Sequence, residues 1–160
     1  MSGKVLPPCR IGTPATLLWL SLLPPGARMP SVNLLAVLLA TISAFMIGGI
    51  WYGPLFGKAW MAEHGFTAEQ IRNDFNPAKT YGTTFILAAI TAYTFAMFLG
   101  PDIGWTTGGM YGLIAGLCWV TASIATNYQF EGTSNTLLLI NGGYHTVRFA
   151  VMGAILGAMG

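Results

Sequence analysis

Four apolar stretches, each about as long as a bilayer is thick, leave this chain few ways to fold. A helix needs about 20 mostly apolar residues to cross a hydrocarbon core of roughly 30 Å, because in lipid every backbone N–H and C=O must be paired within the segment. Residues 32–52, 81–99, 108–126 and 137–159 meet that requirement, and Arg148 is the one Lys, Arg, Asp or Glu inside them. Composition agrees, since 54% of the 160 residues are hydrophobic and 8% charged, against roughly a quarter charged in a soluble domain. That balance excludes an ordinary soluble domain and a disordered chain. A net charge of +2 without a basic cluster leaves no footprint for nucleic acid. The expected fold is therefore all-α, an integral membrane bundle of four transmembrane helices occupying residues 29–160.

The connections are unequal. Residues 53–80 form a long loop carrying most of the charge, whereas 100–107 and 127–136 are short, and short links imply antiparallel neighbours. Within the long loop, Thr67-Ala68-Glu69-Gln70 has the form of a capping box, with Phe66 and Ile71 spaced for a hydrophobic staple. A short interfacial helix is expected there. Asn76-Pro77 should end it, because the residue before proline is pushed out of the helical region. Trp51, Tyr52 and Trp60 are placed as aromatic anchors on this side of the membrane and Trp105 on the other.

Residues 1–28 fit poorly with the rest. They are rich in proline, and their one apolar run, residues 15–23, is too short to span. The expectation is a functional start at Met29, with residues 1–28 disordered or untranslated. Lys58, Arg72 and Lys79 place the 53–80 loop in the cytoplasm by the positive-inside rule, with both ends outside. Lys4, Arg10 and Arg28 would balance that count if the extension were present. The expected location is a bacterial inner membrane. Cys9 and Cys118 imply no disulfide framework.

Small residues recur at intervals of four in every crossing. They are Ala36, Ala40, Ala44 and Gly48; Thr84, Ala88, Ala92, Ala96 and Gly100; Gly108, Gly112 and Gly116; and Gly142, Thr146, Ala150, Ala154 and Ala158, with Gly153 and Gly157 alongside. Residues four apart share a helix face, and smooth faces let helices approach closely where lipid supplies no hydrophobic driving force. One compact bundle follows.

The fourth crossing also carries Asn141, Tyr144, His145 and Arg148, a spacing that puts them on one face, opposite the small residues. Helix four should then be the most buried. An Arg at mid-membrane costs on the order of 2.5 to 3.5 kcal/mol on insertion scales, and no acidic residue lies in any crossing to offset it. The nearest candidate is Glu131, in the adjoining loop. Because Met152 and Ile155 continue the same face, the polar stripe covers only the half of the membrane next to the 127–136 loop. Tyr52, Tyr81, Thr83, Thr84, Thr126, Asn127 and Tyr128 belong to that half. Together these residues suggest a cytoplasm-facing polar pocket, with Asn127, Glu131, Asn141, Tyr144, His145 and Arg148 as candidate ligand contacts. A purely structural reading carries comparable weight: Arg148 snorkels toward the headgroups, and Asn141 and His145 tie helices together.

Other signals are weak. His64 beside Glu63 reads as solvated rather than as a metal ligand, and Gly142-Gly143 as a place of close packing rather than a phosphate cradle. No cofactor, metal or catalytic residue is expected. The function readings are binding or assisted transport of a polar or anionic solute, and, ranked near it, a structural or accessory subunit of a membrane complex. An intramembrane enzyme using His145 and Glu131 ranks well below both. Expected partners are the bilayer and either further copies of the chain or a membrane complex.

The blocks Gly49-Ile-Trp-Tyr-Gly-Pro-Leu-Phe-Gly-Lys-Ala-Trp-Met61, Asn76-Pro-Ala-Lys-Thr-Tyr-Gly82, Asn127-Tyr-Gln-Phe-Glu-Gly132 and Asn141-Gly-Gly-Tyr-His145 resemble the bacterial membrane family catalogued as domain of unknown function 1761. The resemblance runs from about Met29 to the C-terminus and leaves the extension unmatched. It implies a small integral membrane protein of four helices without an established activity, and supplies no catalytic residues.

Overall fold

The computed structural model describes residues 31–160, and every regular element in them is helical. The expected 1–28 extension and the start at Met29 lie outside the described residues. Helix α1 (Leu34–Ile50) begins where Asn33 accepts the Leu35 and Ala36 N–H groups through its side chain. It runs on into a π-helical turn, π1 (Trp51–Leu55), which contains Pro54. Proline has no N–H for the α ladder, and two residues on the Phe56 N–H reaches back five residues to the Trp51 carbonyl at 2.8 Å. A short helix that the sequence reading did not anticipate, α2 (Gly57–His64), follows and stops at Gly65, whose φ is 67°. Helix α3 (Ala68–Asp74) starts on the expected capping box, with Thr67 and Gln70 bonded reciprocally.

Helix α4 (Pro77–Leu99) starts four residues before the expected boundary of 81. The proline that ends α3 sits at its first position, where the missing N–H costs nothing, and the Asn76 side chain accepts the Lys79 N–H at 3.0 Å. After a turn through Gly100 and Gly104, both at positive φ, one long helix is built of α5 (Trp105–Ile114), a second π-helical stretch π2 (Ala115–Thr121) and α6 (Ala122–Glu131). Ser134 caps α7 (Asn135–Met159), which is 25 residues long.

Three helices are long and apolar enough to cross a membrane: Leu34–Leu55, Pro77–Leu99 and Trp105–Glu131. The sequence reading expected four. Helix α7 has the length, but Asn141, His145 and Arg148 dilute its hydropathy; it packs against α1, α4, α5, π2 and α6 and leaves Leu139, Val147 and Val151 exposed.

The small residues set that packing. A Cβ added at Gly108 would fall on the Gly153 carbonyl, one at Gly112 on the Phe149 carbonyl, and one at Gly116 would lie 2.8 Å from the Thr146 Cα. The α5–π2 segment therefore lies backbone to backbone on α7. Ala36, Ala40 and Ala44 on α1 and Ala88 and Ala92 on α4 are buried in the same way. Outward faces carry Leu35, Leu39, Ile86, Ile90, Leu113 and Leu117, all exposed, as expected of surfaces solvated by lipid tails.

The molecule has two dissimilar ends. At one, Asn33 Nδ2 donates to the Met159 carbonyl at 2.8 Å, and Ala36, Ala40, Ala92, Phe95, Leu99, Met152 and Leu156 form an apolar core. At the other, the 53–80 loop meets the turn between α6 and α7, where the Ser134 hydroxyl donates to the Glu63 carboxylate. On α7, Asn141, Tyr144 and His145 lie in the half next to this loop end, and Arg148 lies at the middle.

Candidate functional site

Asn141 is the centre of a polar cluster drawn from three helices. Its Oδ1 accepts from the Tyr52 hydroxyl at 2.8 Å, and its Nδ2 donates to the Tyr128 oxygen at 2.8 Å. Tyr52 is placed by π1, Tyr128 by α6 and Asn141 by α7, so a single amide ties all three. Beside it the Trp51 indole N–H donates to the Ile140 carbonyl at 2.9 Å, with the ring against Gly143, where a Cβ would lie 3.0 Å from it. Tyr144 reaches the Ala44 carbonyl on α1 at 3.3 Å and meets the Tyr52 ring edge-on at 5.1 Å.

A second tie joins π2 to α7. The Thr121 hydroxyl lies 2.8 Å from the Gly116 carbonyl, 2.9 Å from the Gly142 carbonyl and 3.2 Å from Thr146 Oγ1, and Thr146 itself donates to Gly142 at 2.8 Å. The wider π turn brings Thr121 to α7. π-bulges of this kind are frequent at functional sites.

Deeper on the polar face the pattern changes. His145 and Arg148 follow Asn141 by about 6 and 10 Å of helix rise. His145 Nδ1 and Arg148 Nε are shielded from solvent and have no hydrogen-bond partner. The imidazole meets the Tyr144 ring at 5.0 Å, and the guanidinium carbon lies 5.7 Å from the Phe149 centroid. Such contacts do not replace hydrogen bonds. A guanidinium in these surroundings has directed donors ready for a planar oxyanion, and the neighbouring imidazole can give or take one hydrogen bond.

The remaining candidates lie elsewhere. Glu131 is exposed at the loop end, its carboxylate 3.5 Å from the Thr133 hydroxyl. With Glu63, His64, Tyr128, Thr133, Ser134 and Leu137 it lines an open cleft of about 490 Å³. Leu137, at the cleft, precedes His145 by about 12 Å of helix, so Glu131 and the imidazole stand at different depths. Asn127 is exposed outside the cluster. Of the other residues expected in that half, Tyr81, Thr83 and Thr84 are exposed on α4, and Thr126 bonds the Ala122 carbonyl of its own helix at 2.9 Å. His64 is held between Trp60 and Phe66, with Nδ1 2.9 Å from the Trp60 carbonyl. Among the described residues no three His, Cys, Asp or Glu side chains gather as metal ligands would.

Two members of the cluster escaped the sequence reading. The sequence marks Trp51 only as an interfacial anchor, and Thr121 not at all. The signal for Trp51 was its position just ahead of Gly53-Pro54, where a helix must change its hydrogen bonding. Thr121 has no comparable mark, because a single extra residue in a π turn does not disturb an apolar run.

No curated protein and no solved structure matches the chain. The model of one protein family does match, over residues 35–157, which takes in every element of the cluster. The chain belongs to the family described as Protein of unknown function (DUF1761).

Proposed function

We propose that this protein is a four-crossing membrane protein that binds a small anionic solute at His145 and Arg148, near the middle of the bundle and on the side toward the cytoplasmic 53–80 loop. The observation that carries the reading is the contrast along α7. Asn141, Tyr144 and Thr146 all have protein partners, while His145 Nδ1 and Arg148 Nε are shielded from solvent and bonded to nothing. Buried polar groups are nearly always hydrogen-bonded, and the unpartnered Nε belongs to a charged, half-buried guanidinium. An anion supplies both the missing acceptor and the missing countercharge. The polar half-stripe supports binding rather than a continuous conduction path, because Met152 and Leu156 close the opposite half.

A thermal-shift series on the purified protein with chloride, nitrate, acetate and phosphate tests the reading. At least one anion should raise the melting temperature in a concentration-dependent way, and Arg148→Gln should abolish that shift while leaving the protein folded. An equal shift in the variant, or none in either protein, would refute a site at Arg148.

A further inference from the structure

Along α7, Asn141 lies between Leu137, at the open cleft, and His145, one helical turn further on. Tyr128 lines the open cleft and also accepts the Asn141 amide hydrogen bond, so one phenol links the cleft to the polar face of α7. We propose that the Tyr52–Asn141–Tyr128 clamp is the closure through which a small solute passes between the cleft and His145–Arg148, with Tyr128 as its moving part. This rests on the anion-binding reading above.

The two tyrosines are held very differently. Tyr52 sits in π1 with its ring edge-on to both Trp60 at 6.1 Å and Tyr144 at 5.1 Å, so moving it disturbs two further aromatic contacts. Tyr128 sits on α6, a helix with no buried residue. The backbone-close contacts of α5 and π2 with α7 run through Gly108, Gly112 and Gly116, and the last tie before α6 is Thr121 on Gly142. Beyond that point α6 is held weakly, and weakly packed segments open first. Its junction with the rest of the helix is π2, whose hydrogen-bond pattern can shift toward the ordinary α ladder. A small rotation of α6 about π2 breaks one hydrogen bond, Tyr128 to Asn141, and carries the phenol off the polar face.

The closure is testable without a bound solute. In a background of Cys9→Ser and Cys118→Ser, His145→Cys should react slowly with a small water-soluble methanethiosulfonate. Adding Tyr128→Phe, which keeps the ring and removes the hydroxyl, should speed the reaction by up to about tenfold, the weight of one hydrogen bond. A change under about twofold would overturn the proposal. Should His145→Cys not fold, iodide quenching of Trp51 fluorescence serves instead, with the other tryptophans changed to Phe and His145 intact. Quenching should be stronger with Tyr128→Phe than with Tyr128, and equal quenching overturns the closure. If either probe gains access while Arg148→Gln leaves anion-induced thermal shifts intact, the closure stands and the anion reading fails. If Arg148→Gln abolishes the shifts but Tyr128→Phe changes neither probe, the reverse holds.

Discussion

Asn141 and Arg148 lie two turns apart on one helix and are in opposite circumstances. Each polar group of the Asn141 side chain is matched to a tyrosine hydroxyl, so removing it leaves two hydroxyls without their partner. Asn141→Ala should therefore lower stability by about 1 to 3 kcal/mol, read as a loss of denaturation midpoint in detergent. Arg148 behaves in the opposite sense. Its Nε is shielded and unpartnered although the side chain as a whole is half-buried, and an apolar side chain of similar length removes the cost of desolvating that group. Arg148→Met should stabilise the solute-free protein, by about 1 kcal/mol or more, while ending anion-induced stabilisation. Both residues were legible in the sequence as members of one polar face, since their spacing is helical. Their difference was not, because it depends on Tyr52 and Tyr128, which reach Asn141 from α1's π turn and from α6.

Helix contacts here are set by where a Cβ is absent. Gly112 and Gly109 are close in sequence but not equivalent: a Cβ at Gly112 meets the Phe149 carbonyl, whereas one at Gly109 finds the Ala154 Cβ at 3.5 Å, an ordinary contact. Gly112→Val should cost on the order of 3 kcal/mol, the upper end of overpacking effects, and Gly109→Ala should stay within about 0.5 kcal/mol of wild type. Thermal unfolding of the two variants in one detergent checks the ordering. The intervals of four were visible in the sequence and did mark the packed faces of α1, α4 and α5. Boundaries were less legible. Helix α4 begins at Pro77 because Asn76 caps it, a polar start that an apolar window does not see. Helix α2 and both π segments were missed because each is a local change of hydrogen bonding within or beside a run that stays apolar.

At the scale of the whole molecule, an apolar end tied by Asn33 and Met159 faces a polar end where the 53–80 loop meets the α6–α7 turn. The connections read from the sequence have this antiparallel arrangement, while the depth of α7 inside the bundle came from its partners. If all four helices cross, Lys58→Cys and Thr133→Cys should be labelled by an impermeant thiol reagent only from the cytoplasmic side. Asp102→Cys and a tag after Gly160 should be accessible only from outside. A tag on the Lys58 side would mean that α7 does not cross. The central claim, that His145 and Arg148 hold an anion, is tested most directly by anomalous diffraction from crystals soaked in bromide. A bromide peak in contact with both the Arg148 guanidinium and the His145 ring is the expected result. A map with no peak there, and with protein groups filling the hydrogen-bond positions of both side chains, would contradict it.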